Sequence, residues 1–256
     1  MATKNSYDRV ALQYEARIVP YYAPMAEHLV RLARPRPRMS VVDVGAGTGL
    51  VARLVEPHVR PGGVVVLVDK SAPMLEVAAK NMPHESTPFV FVTADAQDMK
   101  LAGKQFDIAV AQFSSIEEMP HAIGEVFRVL KPGGRLAMAI WGPDRLHGEY
   151  QLLKAVREQI GAPAQPTAST PPKVAGHLRR AGFTSVTSRQ KFFPGIYAGV
   201  EAYVHYRDGF PWRSFLDRAF WRTYLPAISR QAELRRDRRG RVVIQRSVTY
   251  LTARRP

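Results

Sequence analysis

The sequence predicts an α/β fold, a parallel sheet with helices on both faces. Three observations predict it. Five short apolar runs alternate with helical patterns between Met39 and Trp141, the signature of successive βαβ units. The run Gly63–Asp69 is dominated by valine, as a strand covered on both faces should be. The chain has 256 residues, 46% hydrophobic and 23% charged, enough to bury a sizeable core.

The elements follow in order. Met25, Ala26, Leu29, Val30 and Leu32 fall at helical spacing over Pro24–Ala33. The prolines of Arg34–Arg38 end that helix. Met39–Gly45 is a first strand, followed by a helix over Leu50–Val55 that Pro57 stops. Gly63–Asp69 is the second strand. Ser71 is placed to cap a helix with Pro73 in its first turn, running to about Asn81. Phe89–Asp95 and Phe106–Phe113 are strands three and four. Glu117–Leu130 reads as a helix closed by the turn Lys131–Gly134, and Arg135–Trp141 as strand five. A helix over Glu149–Ile160, a Pro/Ala/Ser/Thr-rich loop over Gly161–Pro172 and a helix over Lys173–Ala181 with Gly182 at its end come next. Thr184–Phe193 alternates like a strand. Gly199–Arg239 is rich in aromatic residues and arginine and reads as two or three helices. Arg241–Pro256 alternates again and could return to the sheet as its last strand. Crossovers in such a sheet are right-handed.

The chain has no cysteine, which excludes disulfides, thiolate metal sites and a cysteine nucleophile; no metal site is expected. Met1–Arg17 lacks a signal-peptide core, and no apolar run is long enough for a membrane span. A cytoplasmic protein is the expectation. The formal net charge is +15, which raises nucleic acid, acidic membrane or an anionic substrate as partners. Between Arg207 and Pro256 there are thirteen arginines, no lysine and four acids. Arginine without lysine also fits the coding bias of a GC-rich genome, and that reading ranks above a nucleic-acid surface.

Ligands of open α/β sheets bind beyond the carboxyl ends of the strands. The stretch VDVGAGTG sits at such an end. Gly45, Gly47 and Gly49 let the backbone turn tightly and approach a ligand, and the following helix offers free N–H groups. Three further features fall in register. Asp69 ends the second strand, where a carboxylate can accept both ribose hydroxyls of an adenosine. Asp95 follows the third strand, where it could accept the adenine amino group. The turn in LKPGG precedes strand five. Dinucleotide-binding turns read G-x-G-x-x-G, but here Leu50 stands in place of the third glycine. A P-loop is excluded because no Gly-Lys-Ser/Thr follows.

With these motifs in order, the sequence resembles the class I S-adenosylmethionine-dependent methyltransferases, above all the small-molecule branch that includes the quinone-biosynthesis enzymes. SYDRVALQYEA is similar to that branch's N-terminal segment, which closes over the cofactor. VDVGAGTG, VLVDKSAPML, FVTADAQDM and FRVLKPGGRLAMAIW match its four successive motifs. The resemblance implies a Rossmann-like, doubly wound, seven-stranded, mostly parallel sheet whose last strand is antiparallel. It further implies one domain over residues 1–256: an N-terminal helical cap (1–38), a cofactor-binding core (39–142) and a helical lid inserted before the last strand (199–240).

Carried over by position, Gly45, Ala46, Gly47 and Gly49 line the methionine and ribose parts of S-adenosylmethionine. Asp69 takes the ribose hydroxyls, and Asp95 with Ala96 meets the adenine edge. Gln112 and Phe113 face the methionine part and the substrate. Asp43 either supports the loop or reaches the amino group through water. Met74 lies near the adenine or in helix core, and Lys70 lies near the adenine or in solvent. Tyr14, Tyr21 and Tyr22 lie on the segment that should cap the site, where packing of the cap is favoured over contact with the cofactor. Tyr14 is carried with the cofactor-binding set.

The implied reaction is in-line methyl transfer to a small molecule, releasing S-adenosylhomocysteine. The cofactor brings the activated methyl group, and positioning alone supplies roughly 7–11 kcal/mol in model reactions. A base is needed only for an acceptor that arrives protonated. Relatives often place a histidine after strand four; here Ser115 and Ile116 stand there, His121 lies further along, His28 reads as packed or solvated, and no catalytic residue is assigned. The aromatics Tyr203, Tyr206, Phe210, Trp212, Phe215, Phe220, Trp221 and Tyr224 read chiefly as the lid's own core, and suit an aromatic or polyketide-like substrate. Two rivals stand: an enzyme of the same fold that keeps the cofactor without methyl transfer, such as a cyclase, and an RNA methyltransferase. The second is disfavoured, since AQFSS lacks the Asn/Asp-Pro-Pro turn of enzymes acting on base amines. Monomer and homodimer are both open.

Overall fold

The structure is a computed structural model and describes residues 6–83, 88–163, 169–211 and 218–256. The chain opens with a 3₁₀ turn at Ser6–Arg9 and two helices, α1 (Ala11–Arg17) and α2 (Val19–Ala33). Then follow β1 (Ser40–Val44), α3 (Leu50–Val59), β2 (Val64–Asp69), α4 (Ala72–Asn81), β3 (Phe89–Thr93), β4 (Phe106–Gln112), α5 (Pro120–Val129) and β5 (Leu130–Trp141). The remainder is α6 (Gly148–Gln159), α7 (Pro171–Arg180), β6 (Thr184–Tyr197), α8 (Val200–Arg207), α9 (Arg218–Glu233) and β7 (Val242–Arg254).

Seven strands form one sheet in the order β3-β2-β1-β4-β5-β7-β6. The first five run parallel to their neighbours. β7 is antiparallel to both β5 and β6, so the expected seven-stranded sheet with a reversed last strand is what forms. The chain winds outward from β1 in one direction and from β4 in the other. Such a switch point leaves a crevice at the carboxyl ends of the two central strands.

The valine-rich strands are covered on both sides. Val41, Val65, Leu67, Ile108 and Val110 face one core with α2, α3 and α6. Their alternates Val42, Val66, Val68, Ala109 and Ala111 face a second core with α5 and α7. That alternation is the period of two of a strand, here apolar at both phases. α8 and α9 lie between β6 and β7 in sequence and join the first core through Tyr203, Tyr206, Tyr224, Ala227 and Ile228, all buried. Most of the presumed lid aromatics are therefore packing residues; Trp212 and Phe215 lie outside the described residues. Among the described residues no helix is long and apolar enough to cross a membrane.

Five local expectations need correction. The helix after the glycine loop does not stop at Pro57 but runs to Val59, and α2 starts at Val19 and passes through Pro24. Both prolines are on the exposed side, so the carbonyl each leaves without its helical partner lies on the face nearest water. The helix expected over Glu117–Leu130 is a 3₁₀ turn at Ile116–Glu118 followed by α5. Lys131–Gly134 belongs to β5, where the pairing with β4 shifts register between Phe106 and Ile108. Pro171 and Pro172 open α7 rather than ending a loop, as prolines in a first helical turn commonly do.

Candidate functional site

β1 delivers the chain to the crevice and three glycines turn it into α3. All three adopt left-handed backbone, with φ of 70° at Gly45, 53° at Gly47 and 81° at Gly49. Their surroundings differ. A Cβ at Gly45 would stand 2.3 Å from the Ser114 Cβ, and one at Gly49 would stand 2.3 Å from the Met82 Cε. A Cβ at Gly47 would meet nothing within 4 Å. Gly45 and Gly49 are packed on protein, whereas Gly47 borders open space.

That space is a cavity. Twelve of the thirteen positions singled out in the sequence line it: Tyr14, Asp43, Gly45, Ala46, Gly47, Asp69, Lys70, Met74, Asp95, Ala96, Gln112 and Phe113. Gly49 stands behind the wall as the residue before α3, against Met82, Ala78 and Leu67. Its glycine serves the turn and the packing of helix on sheet.

The acids are held by backbone N–H groups. Asp69 ends β2; its Oδ2 accepts from Gly47 N at 2.8 Å and its Oδ1 from Ser71 N at 2.9 Å. Burial raises its pKa, and the two N–H groups work against that rise. A carboxylate has about four acceptor positions, so two remain for a ligand. Asp43 is buried, and its Oδ2 accepts from Ala52 N in the first turn of α3 at 3.2 Å. Burial pushes its carboxyl up to about 7; the Ala52 N–H lowers it and the nearby Asp69 adds to the rise. This geometry favours the loop-supporting role of Asp43. Asp95 is exposed and accepts from Gln97 N at 2.8 Å. Lys70 is exposed; Met74 is buried with Ala11 and Val77 while also reaching the wall.

The opposite wall is aromatic. Phe113 takes left-handed backbone (φ 50°) and stacks on Trp141, ring centroids 3.8 Å apart and planes 6° apart. Tyr22 sits edge-on to both, at 5.2 and 5.5 Å. Tyr14 packs edge-on against Tyr7 and, from the region after α8, Phe210. Its phenol is raised well above its ordinary pKa by burial. Tyr14 and Tyr22 thus pack among other rings and also line the cavity.

Sequence reasoning missed several wall residues, three of them polar. Tyr7 lies seven positions before Tyr14, a helical repeat that could have marked it. Thr48 and Ser114 line the cavity too, and the buried Thr48 Oγ1 and Ser114 Oγ have no hydrogen-bond partner among the described residues. Behind Trp141 lies His147, buried and edge-on to the indole at 4.7 Å. Its Nδ1 accepts from Tyr150 N at 3.3 Å, capping α6, and burial lowers its pKa. His121 is on the surface. His28 is packed edge-on to Tyr250 at 4.7 Å.

Residues 41–134 match the family model described as a methyltransferase domain. A nocamycin O-methyltransferase from Saccharothrix syringae is 28% identical over 275 residues, 97% of this chain and 96% of its own. A demethylmenaquinone methyltransferase from Streptomyces avermitilis is 28% identical over 173 residues, 60% of this chain and 72% of its own. The crystal structure of the YcgJ protein from Bacillus subtilis has a TM-score of 0.62 at 17% identity, covering 91% of this chain and 98% of that one; at that identity it speaks to the fold. Residues 41–134 thus match a methyltransferase domain, and the sheet order and glycine loop are similar to those of the class I S-adenosylmethionine-dependent methyltransferases. The relatives include enzymes named for small-molecule acceptors, the nocamycin enzyme along nearly its whole length.

Proposed function

We propose that the chain transfers a methyl group from S-adenosylmethionine to a small planar acceptor by in-line displacement, with S-adenosylhomocysteine as the second product. The observation that carries this reading is the two-sided cavity, with Gly47 and Asp69 on one side and Tyr22 and Phe113 on the other. The residues present fit the cofactor. Gly47 leaves room where a side chain would intrude, Asp69 keeps acceptor positions free, and the buried hydroxyls of Thr48 and Ser114 lack protein partners.

In this reading Gly45, Ala46 and Gly47 run along the methionine and ribose parts, Asp69 accepts the ribose hydroxyls, and Asp95, Ala96, Met74 and Lys70 surround the adenine. Asp43 fixes the start of α3 through Ala52. Gln112 and Phe113 separate the cofactor side from the acceptor side. When bound, the cofactor supplies a methyl group on a sulfonium centre, already activated. The protein then has to orient the acceptor and keep water out, tasks suited to the rings of Tyr14, Tyr22 and Phe113. An aromatic or polyketide-like acceptor matches those flat apolar walls, and the full-length likeness to a nocamycin O-methyltransferase supports a small-molecule acceptor.

The test is S-adenosylhomocysteine release from the purified chain with a panel of planar phenols and enols, aliphatic acids and tRNA. Release is expected with planar acceptors. Asp69→Ala should weaken cofactor binding about tenfold or more, the worth of hydrogen bonds to a charged group. Cofactor binding without turnover on any acceptor would favour the non-methylating reading. No cofactor binding would overturn the proposal.

A further inference from the structure

The end of the sheet away from the cofactor cavity carries a second groove, unrelated to the function proposed above. Arg135 on β5 pairs with Ile108 on β4, whereas the cavity takes Gln112 of the same strand. At Arg135 the two sites are therefore four residues apart, about 13 Å along the strand, while Arg189, level with Gln112 through Tyr250 and Ala139, lies three strands away across the sheet. Arg135 lies directly across from Arg254 on β7, and Thr187 on β6 lies across from Thr252. Side chains of one strand return to the same face every second residue, so Arg189 and Thr187 share a face with Thr252, Arg254 and Arg135. The carboxyl end of α2 rims the groove with Arg34.

Four arginines thus converge on one groove: Arg34, Arg135, Arg189 and Arg254. Among the described residues none of them is ion-paired within 4 Å, although other arginines of the chain, such as Arg128 and Arg241, have acidic partners. Their charges press on one another: burial lowers the pKa of Arg135, and Arg254, Arg34 and Arg36 lower it further. Hydroxyls complete the lining. Thr187 Oγ1 and Thr252 Oγ1 lie 2.7 Å apart, and Ser185 sits in the groove with left-handed backbone (φ 50°) at a register shift in β6. Gathering like charges without a counter-charge is unfavourable unless an anion joins them. Planar guanidinium forks beside hydroxyl donors suit an anion with several oxygens around each centre and a charge of several units.

We propose that this groove, formed by Arg34, Arg135, Arg189 and Arg254 with the hydroxyls of Thr187 and Thr252, binds a small oligophosphate, as the free ion or as the phosphate chain of a nucleotide. The test is calorimetric titration of the full chain in low salt with inorganic triphosphate, ATP and citrate. Triphosphate should bind, and Arg135→Gln/Arg254→Gln should weaken it about tenfold or more. Arg179→Gln/Arg180→Gln removes the same charge from the exposed end of α7 and should change binding less than about twofold. If the first pair of substitutions prevents folding, Arg34→Gln/Arg189→Gln alters only exposed side chains and should give the same loss. ATP binding as tightly as triphosphate assigns the phosphate chain alone; tighter ATP binding places a base in the groove as well. No binding, equal loss in the α7 control, or citrate binding as tightly as triphosphate would overturn the proposal. Affinity for oligouridine that rises with its length would overturn it in favour of a nucleic-acid surface.

Discussion

Asp43 is a buried carboxyl with one hydrogen bond, from Ala52 N, and it is raised to about 7. In the unfolded chain it titrates near the ordinary value of about 4. Between those values the folded protein keeps a proton that the unfolded chain gives up. Stability from this group is therefore fully present below about pH 4, falls as pH rises toward 7, and is level above. The span corresponds to a loss on the order of 4 kcal/mol. Asp43→Asn keeps an acceptor for Ala52 N and cannot ionise. Urea midpoints at pH 5 and pH 8 should differ less in this variant than in the parent, and the variant should be the more stable of the two at pH 8. A remaining slope is expected from Glu117, also raised to about 7 by burial. Equal slopes in both proteins would remove Asp43 as the cause. The sequence marked Asp43 but left its role open, because burial and the Ala52 contact exist only once α3 is laid against β1. Gly45, Gly47 and Asp69 could be marked because each carries its signal in its own stretch of chain, a glycine turn after an apolar run or an acid at the end of one. Thr48 and Ser114 were not, because a buried hydroxyl without a partner is a property of the assembled wall.

α4 shows how one cap joins two elements. Ser71 Oγ accepts from Met74 N at 3.3 Å, a normal N-cap, and also donates to Asp8 Oδ1 at 2.6 Å. Asp8 thereby sits at the amino end of a helix, where a negative charge is favoured. The cap was readable from Ser71 followed by Pro73; the link to Asp8, 63 residues away, was not. Ser71→Ala should cost about 1 kcal/mol, a Tm loss of roughly 2–4 °C for a domain of this size. It should also speed protease cleavage within Asp8–Arg17, and Ser71→Thr should restore much of both. A Tm loss without faster cleavage would mean the cap matters only to α4. The misread boundaries have the same origin. Periodicity shows which residues share a face but not which side of the helix meets water, and it is their exposed position that lets Pro24 and Pro57 stand inside helices.

At the scale of the molecule the cavity is walled by separate stretches of chain: the N-terminal segment, the glycine loop, the end of β2 with the start of α4, the turn after β3, and the end of β4. Among the described residues, two ion pairs tie the N-terminal segment to the rest. Arg17 meets Asp208 at 2.8 Å and Glu15 meets Arg53 at 2.8 Å, all four side chains partly exposed. Pairs of that kind contribute about 0–1 kcal/mol each, too little to hold the wall shut against local opening on their own. A ligand touching several of these stretches would couple them. At a hundredfold excess over its Kd, S-adenosylhomocysteine should stabilise the fold by about 2.7 kcal/mol, raising Tm by roughly 5–10 °C. Amide exchange should slow together in Tyr7–Tyr22, in the Gly45–Gly49 loop and in Phe113–Ser115, rather than in the loop alone. The sheet core, already closed on both faces, should change little. Protection confined to the loop would show that the N-terminal helices pack on the α8 region without closing over the cofactor, and would move the acceptor's path of approach to their side of the cavity.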